Sequence, residues 1–154
     1  MMANGEGNAI AAIVWGGTTC GVMDITAALM VYGYFGLRPM PLLQGIARGV
    51  LGPRASEGGL STAALGLLLH FVIAFGAATV YFVASRKLGF LVEQPVIWGP
   101  LYGVAVYFFM QRVVLPLSLA AKRPFSVKMM VVGVVIHIFC VGLPIAVSVW
   151  WKGR

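Results

Sequence analysis

The chain has 154 residues, 60% of them hydrophobic and 10% charged, with eleven Lys and Arg against four Asp and Glu. Soluble domains are about 45–50% apolar and about 25% charged, and so short a chain has too much surface to hide that excess. The composition excludes a soluble enzyme, a disordered chain and a disulfide scaffold, and it predicts a polytopic membrane protein.

The start, MMANGEGNAIAAIVWGG, has no basic segment ahead of its apolar run. It reads as a retained helix and not as a cleaved signal peptide. Apolar runs cover residues 8–37, 60–85, 95–120 and 126–151. Each is at least the roughly 20 residues that a span needs, and in lipid each must be a helix because nothing else satisfies its backbone. Arg38-Pro39, Arg86-Lys87 and Lys122-Arg123-Pro124 end the first three. The expected fold is therefore all-α: a single domain of four transmembrane helices in a bundle.

The connection between the first two spans is different. Within residues 39–54, Leu42, Leu43, Ile46, Val50 and Leu51 recur at helical spacing, with Gln44 and Arg48 on the other face. This predicts a short amphipathic helix lying in the membrane interface, or a re-entrant segment. Gly45, Gly49 and Gly52 weaken it as a free helix and would admit a close neighbour. The small-residue pairs Gly17/Gly21 and Gly99/Gly103 mark further sites of close helix packing. Pro100, Pro116 and Pro144 fall inside spans and predict local breaks in the helical ladder.

The basic residues sit between the spans and do not form a stripe interleaved with aromatics, so they read as topology signals and not as a nucleic-acid surface. The side of loops one and three carries six outside the spans: Arg38, Arg48, Arg54, Lys122, Arg123 and Lys128. The side of loop two and the termini carries four: Arg86, Lys87, Lys152 and Arg154. The positive-inside rule then puts both termini in the periplasm. Trp15, Trp98, Trp150 and Trp151 all lie toward the terminal side, as an aromatic belt would. Cys20 and Cys140 sit within apolar runs, without a Cys-x-x-Cys or Cys/His cluster, and read as inert buried thiols.

Polar residues inside the spans carry the most information. Asp24 falls in the first, His70 in the second, Gln111 and Arg112 in the third, and His137 in the fourth. At about 1.5 Å of rise per residue, Asp24, His70, Arg112 and His137 lie roughly 12–20 Å below the loop-one and loop-three side. Ionisable groups at that depth cost about 2.5–3.5 kcal/mol and are expected to face inward and pair. Asp24 has two candidate partners, Arg112 and a histidine. Such a layer is expected to be a structural network that fixes helix order. A proton relay, a quinone or lipid site, and a haem held by His70 and His137 are the alternatives. Gly66-x-x-x-His70 and Gly133-x-x-x-His137 share a spacing, which hints at two tandem helical hairpins.

No catalytic set is visible: Ser61, Ser85 and Ser118 lie near span ends without a His-Asp partner at recognisable spacing. Metal ligand clusters and phosphate-binding glycine loops are likewise not seen. The stretch Leu43–Gly52, Gly58-Gly59, Thr62–Gly66 and His70-Phe71 then supplies a resemblance. So do Leu101–Tyr107, Val114–Ser118, and His137 with Val141–Pro144. These residues resemble a group of small bacterial inner-membrane proteins with four predicted helices and no assigned activity. Asp24 stands where that group also tends to carry an aspartate. The resemblance implies a bacterial inner-membrane location and the same layout, and transfers no functional residue. The expectation is a non-enzymatic structural or accessory membrane protein without a cofactor, oligomeric or part of a larger complex. A small-ligand carrier is the alternative.

Overall fold

A computed structural model describes residues 3–120 and 124–153, with side chains from residue 8 onward. Lys122, Arg123 and Arg154, used above to set topology, lie outside the described residues. The described residues form helices and turns. Helix α1 spans Ala3–Tyr34, α2 Pro39–Leu51, α3 Gly59–Lys87, the short α4 Phe90–Glu93 and α5 Pro95–Phe109. Then come α6 (Leu115–Leu117), α7 (Val127–Ile136) and α8 (Leu143–Lys152). Four stretches are long and apolar enough to cross a membrane: Asn8–Tyr34, Gly59–Lys87, Pro95–Leu117 and Val127–Lys152. Their outer faces show large apolar side chains such as Met30, Leu60, Val72, Val96 and Phe139, a surface that water would not tolerate but lipid would.

Local chemistry sets the ends. Gly36, at φ 84°, closes α1: its N–H donates to the Gly33 carbonyl, and the Leu37 N–H donates to that of Tyr32. This is a Schellman closure, which needs the left-handed backbone that glycine adopts freely. The third span stops at Leu117, because Ser118 is extended. The fourth begins after Ser126, whose hydroxyl accepts from the Met129 N–H.

Pro116 and Pro144 follow wide turns, whereas Pro100 sits within the unbroken helix α5, against the break expected there. In the third span a π-helical turn, Met110–Val114, carries the Leu115 N–H to the Met110 carbonyl, five residues back, just before Pro116. In the fourth, the π turn His137–Gly142 carries the Leu143 N–H to Ile138, just before Pro144. Proline lacks a donor and its ring crowds the carbonyl four residues earlier, so the ladder widens there.

The first span packs on the second and the fourth, and the fourth packs on the third. The first–second contact is cushioned by rings. A side chain on Gly17 would meet the Phe75 ring, and one on Gly21 the Phe71 ring. The third–fourth contact is backbone on backbone. A Cβ on Gly103 would reach the His137 carbonyl carbon at 2.7 Å and Ile138 Cα at 3.0 Å, and one on Gly142 would reach Gly103 Cα at 2.8 Å. Both small-residue pairs read from the sequence thus lie at helix contacts.

The core lies toward one end. Ala12 and Cys20 of α1, Ala74, Ala78 and Tyr81 of α3, and Val141, Ile145, Ala146 and Val149 of the fourth span form one buried cluster. All belong to the half nearer the termini and loop two. Toward loops one and three the spans loosen. The inward residues Ala27, Ala28 and Val31 of α1, Met110 and Val114 of the third span, and Met130 and Val134 of the fourth are only half-buried.

Helix α2 rests on this looser end and departs from the sequence reading. Gln44 was placed on its polar outer face; it is instead buried, with its side-chain amide donating to the Gly59 carbonyl (3.0 Å) and to Thr62 Oγ1 (3.3 Å). The side chain is turned toward the first turn of α3, where the Gly59 carbonyl and the Thr62 hydroxyl accept from it. The close approach is made by Gly66 of α3, not by the glycines of α2: nothing lies within 4 Å of a Cβ on Gly45. The other end of α2 accepts a hydrogen bond at Gly49 from the Leu119 N–H (2.9 Å), so α2 also holds the chain leaving the third span.

Candidate functional site

Asp24 lies ten residues before the end of α1, and His70 and His137 lie eleven and ten after the starts of their spans. At the rise of a helix these three are about 15–17 Å from the loop-one and loop-three end, close to one layer. Arg112 is five residues from Leu117, where the third span ends, so it is only about 8 Å from that end. The shorter third span therefore takes Arg112 and Gln111 out of the layer in which the sequence placed them.

Orientation separates them further. Gln111 and Arg112 are exposed on the outside of the π turn, and among the described residues neither makes a hydrogen bond or an ion pair. A long guanidinium at that depth can bend along the helix to the phosphate level while its methylenes stay in lipid. The predicted choice for Asp24 is thereby decided: its partner is His70, not Arg112.

His70 Nδ1 faces Asp24 Oδ2 at 3.9 Å, and the two side chains are 12% and 21% exposed. The other ring nitrogen, Nε2, is 2.9 Å from the Gly21 carbonyl. A carbonyl only accepts, so Nε2 carries a proton. The remaining nitrogen, Nδ1, is the one aimed at the carboxylate. The ring is steadied edge-on by Phe71, with centroids 5.5 Å apart. One side chain of α3 thus touches α1 twice, at a carbonyl and at an acid one turn below it. The Gly21 carbonyl leaves no mark in the sequence and could not have been read from it.

His137 does a different job. Its Nδ1 donates to the Gly133 carbonyl of its own helix at 2.9 Å, and its ring stands edge-on to Tyr107 at 5.3 Å. The matched Gly-x-x-x-His spacings therefore carry unlike contacts, since Gly66 receives the backbone of α2 and Gly133 the ring of Tyr107. A haem between the histidines would need one nitrogen from each on the same iron, yet both nitrogens of His70 are directed at α1. Among the described residues, no three His, Cys, Asp or Glu side chains converge as a metal site.

Two tyrosines tie the sealed end. Tyr102 Oη donates across to the Ala77 carbonyl of α3 (2.7 Å), and Tyr81 Oη donates to the Leu91 carbonyl (2.9 Å). Their rings meet at 4.9 Å. The Tyr102 bond joins the third span to the second, where little else does. Cys20 and Cys140 are both free thiols.

Comparison of the chain with protein-family models, with curated proteins and with solved structures finds no match.

Proposed function

We propose that this chain is a non-enzymatic structural or accessory protein of the bacterial inner membrane, a four-helix bundle with α2 in the interface. One observation supports that reading most. Several polar side chains inside the spans serve packing: His70 bonds to α1, Tyr102 to α3, Tyr81 to Leu91, and His137 within its own turn. No hydroxyl or thiol among them stands beside a base in the way a nucleophile requires. Helix α2 meets α3 from Gly59 to Gly66, about 10 Å of rise, which is the depth an interfacial helix occupies.

Gln111 and Arg112, exposed among Phe108, Phe109, Val113 and Leu115, give the third span an outer face suited to a second copy or a larger membrane complex. With Arg112 near loop three, seven of the eleven basic residues belong to the loop-one and loop-three side. This favours that side as cytoplasmic and both termini as periplasmic. Extraction of the native protein in lipid particles tests the reading. The expected result is a colourless particle containing more than one copy or a stoichiometric membrane partner. A monomeric particle with a haem or quinone spectrum would overturn it.

The alternative, a small-ligand carrier, is favoured by a different observation. The Asp24 carboxylate is one-fifth exposed within the half of the molecule that loosens toward loops one and three.

A further inference from the structure

We propose that Asp24 and His70 form an intramembrane proton-binding site. The inference stands apart from the accessory reading and holds whether or not the protein has a partner.

Hydrogen-bond direction fixes the chemistry. The Gly21 carbonyl holds the Nε2 proton, so the imidazole gains or loses its second proton at Nδ1 alone. At Nδ1 it meets Asp24 Oδ2, 3.9 Å away. With Nδ1 protonated, an imidazolium faces a carboxylate and the two helices attract. When that proton leaves to water, a lone pair faces a negative oxygen and the attraction is gone, while the Gly21 bond persists. One proton therefore closes the α1–α3 contact at this level, and its release loosens it.

Packing differs along the bundle. On the terminal side of the pair, Ala12, Ala78, Ile145 and Ala146 have no exposed surface. On the other side, Ala27, Ala28, Val31, Met110, Val134 and Met130 are half-buried.

Few other charges compete. Cys20, one turn earlier on α1, and Cys140 on the fourth span lie in electrostatic range of Asp24. The third span contributes Tyr102, beside Cys20. The charged side chains of α3 itself, Arg86 and Lys87, lie sixteen or more residues beyond His70, about 24 Å along the helix. Helix α2 meets α3 around Gln44, which is uncharged.

The chain has two histidines, which makes the test direct. The full-length protein, labelled with ¹⁵N-histidine and held in lipid bilayers, is titrated from about pH 5 to about pH 9, and ring N–H groups are counted by solid-state NMR. The His137→Gln variant assigns the two rings. For wild type, His70 should pass from two N–H groups to one, with Nε2–H retained throughout. In Asp24→Asn the ring should carry Nε2–H alone across most of that range. A constant N–H count for wild-type His70 would overturn the proposal without any variant. So would a wild-type titration left unchanged by Asp24→Asn, or a neutral His70 that carries its proton on Nδ1. If Asp24→Asn does not accumulate, Asp24→Glu keeps the charge and should retain the two-to-one transition.

Discussion

Gly66→Ala is the most informative single substitution in the fold. The added Cβ would lie 2.7 Å from the Leu43 carbonyl carbon, closer still to its oxygen, and 3.3 Å from the Ala47 nitrogen. Ordinary contact begins at 3.4 Å, so the carbonyl carbon alone demands a retreat of about 0.7 Å. All three atoms are backbone, so no rotamer change relieves the clash; α2 must move as a body. The Gln44 bonds to Gly59 and Thr62, at 3.0 and 3.3 Å, are then broken or stretched. Overpacking costs about 1–3 kcal/mol and each lost hydrogen bond about 1 kcal/mol. Alanine returns about 1 kcal/mol of helix propensity over glycine. The net loss is about 2–4 kcal/mol. Gly76→Ala is the matched control: it lies on the same helix with nothing within 4 Å of its Cβ, and it should gain about 0.5–1 kcal/mol. Thermal unfolding of detergent-solubilised protein, with a fluorescent fusion reporting soluble aggregate, measures both. Equal stability of the two variants would refute the seating of α2 on Gly66.

Other substitutions separate kinds of contact. Gly103→Ala presses on the His137 and Ile138 backbone and should destabilise more than Gly17→Ala, where the obstacle is the Phe75 ring, which can rotate; the same unfolding assay ranks them. Tyr102→Phe removes the bond to the Ala77 carbonyl and should cost about 0.5–1.5 kcal/mol, visible as a lower midpoint in denaturant. His70→Ala takes away the Gly21 bond together with the Asp24 ion pair, and leaves the carboxylate unpartnered. It should therefore destabilise by about 1–3 kcal/mol, whereas His137→Ala, which breaks a bond within one helix, should cost about 1 kcal/mol. Alkaline phosphatase fused to the C-terminus should be active in cells and a fluorescent protein there dark; the reverse pattern would invert the proposed orientation.

Much of this architecture was legible in the sequence because lipid leaves a chain few choices. Runs of more than 20 apolar residues had to become helices, and the spans end within a few residues of the basic and proline signals. Arg112 was misjudged for a geometric reason. Its depth was counted from Ala120, but the helix stops at Leu117, and the π turn before Pro116 presents its side chain outward. Gln44 was misjudged because a polar residue on an amphipathic helix normally faces water, and only the tertiary fold shows that the Gly59 carbonyl was waiting for it. Span periodicity could not show that His70 would meet Asp24 while His137 would not. That distinction rests on which faces α1 and α3 turn toward each other at Gly17 and Gly21. Equal spacing of glycine and histidine in two spans carried no information about function, since His70 bonds a carbonyl of α1 and His137 one of its own helix.

The central claim is that the interior polar site is Asp24 with His70 on the Gly21 carbonyl, and that Arg112 stands outside it. Dipolar recoupling between the His70 ring nitrogens and ¹³C labels at the Gly21 carbonyl and the Asp24 carboxylate tests it most directly, in protein reconstituted into bilayers. Contacts of about 4 Å from Nε2 to the Gly21 carbonyl carbon and about 4–5 Å from Nδ1 to the Asp24 carboxyl carbon are expected, with none between Asp24 and the Arg112 guanidinium. A strong Asp24–Arg112 coupling, with His70 coupled to neither label, would contradict the account.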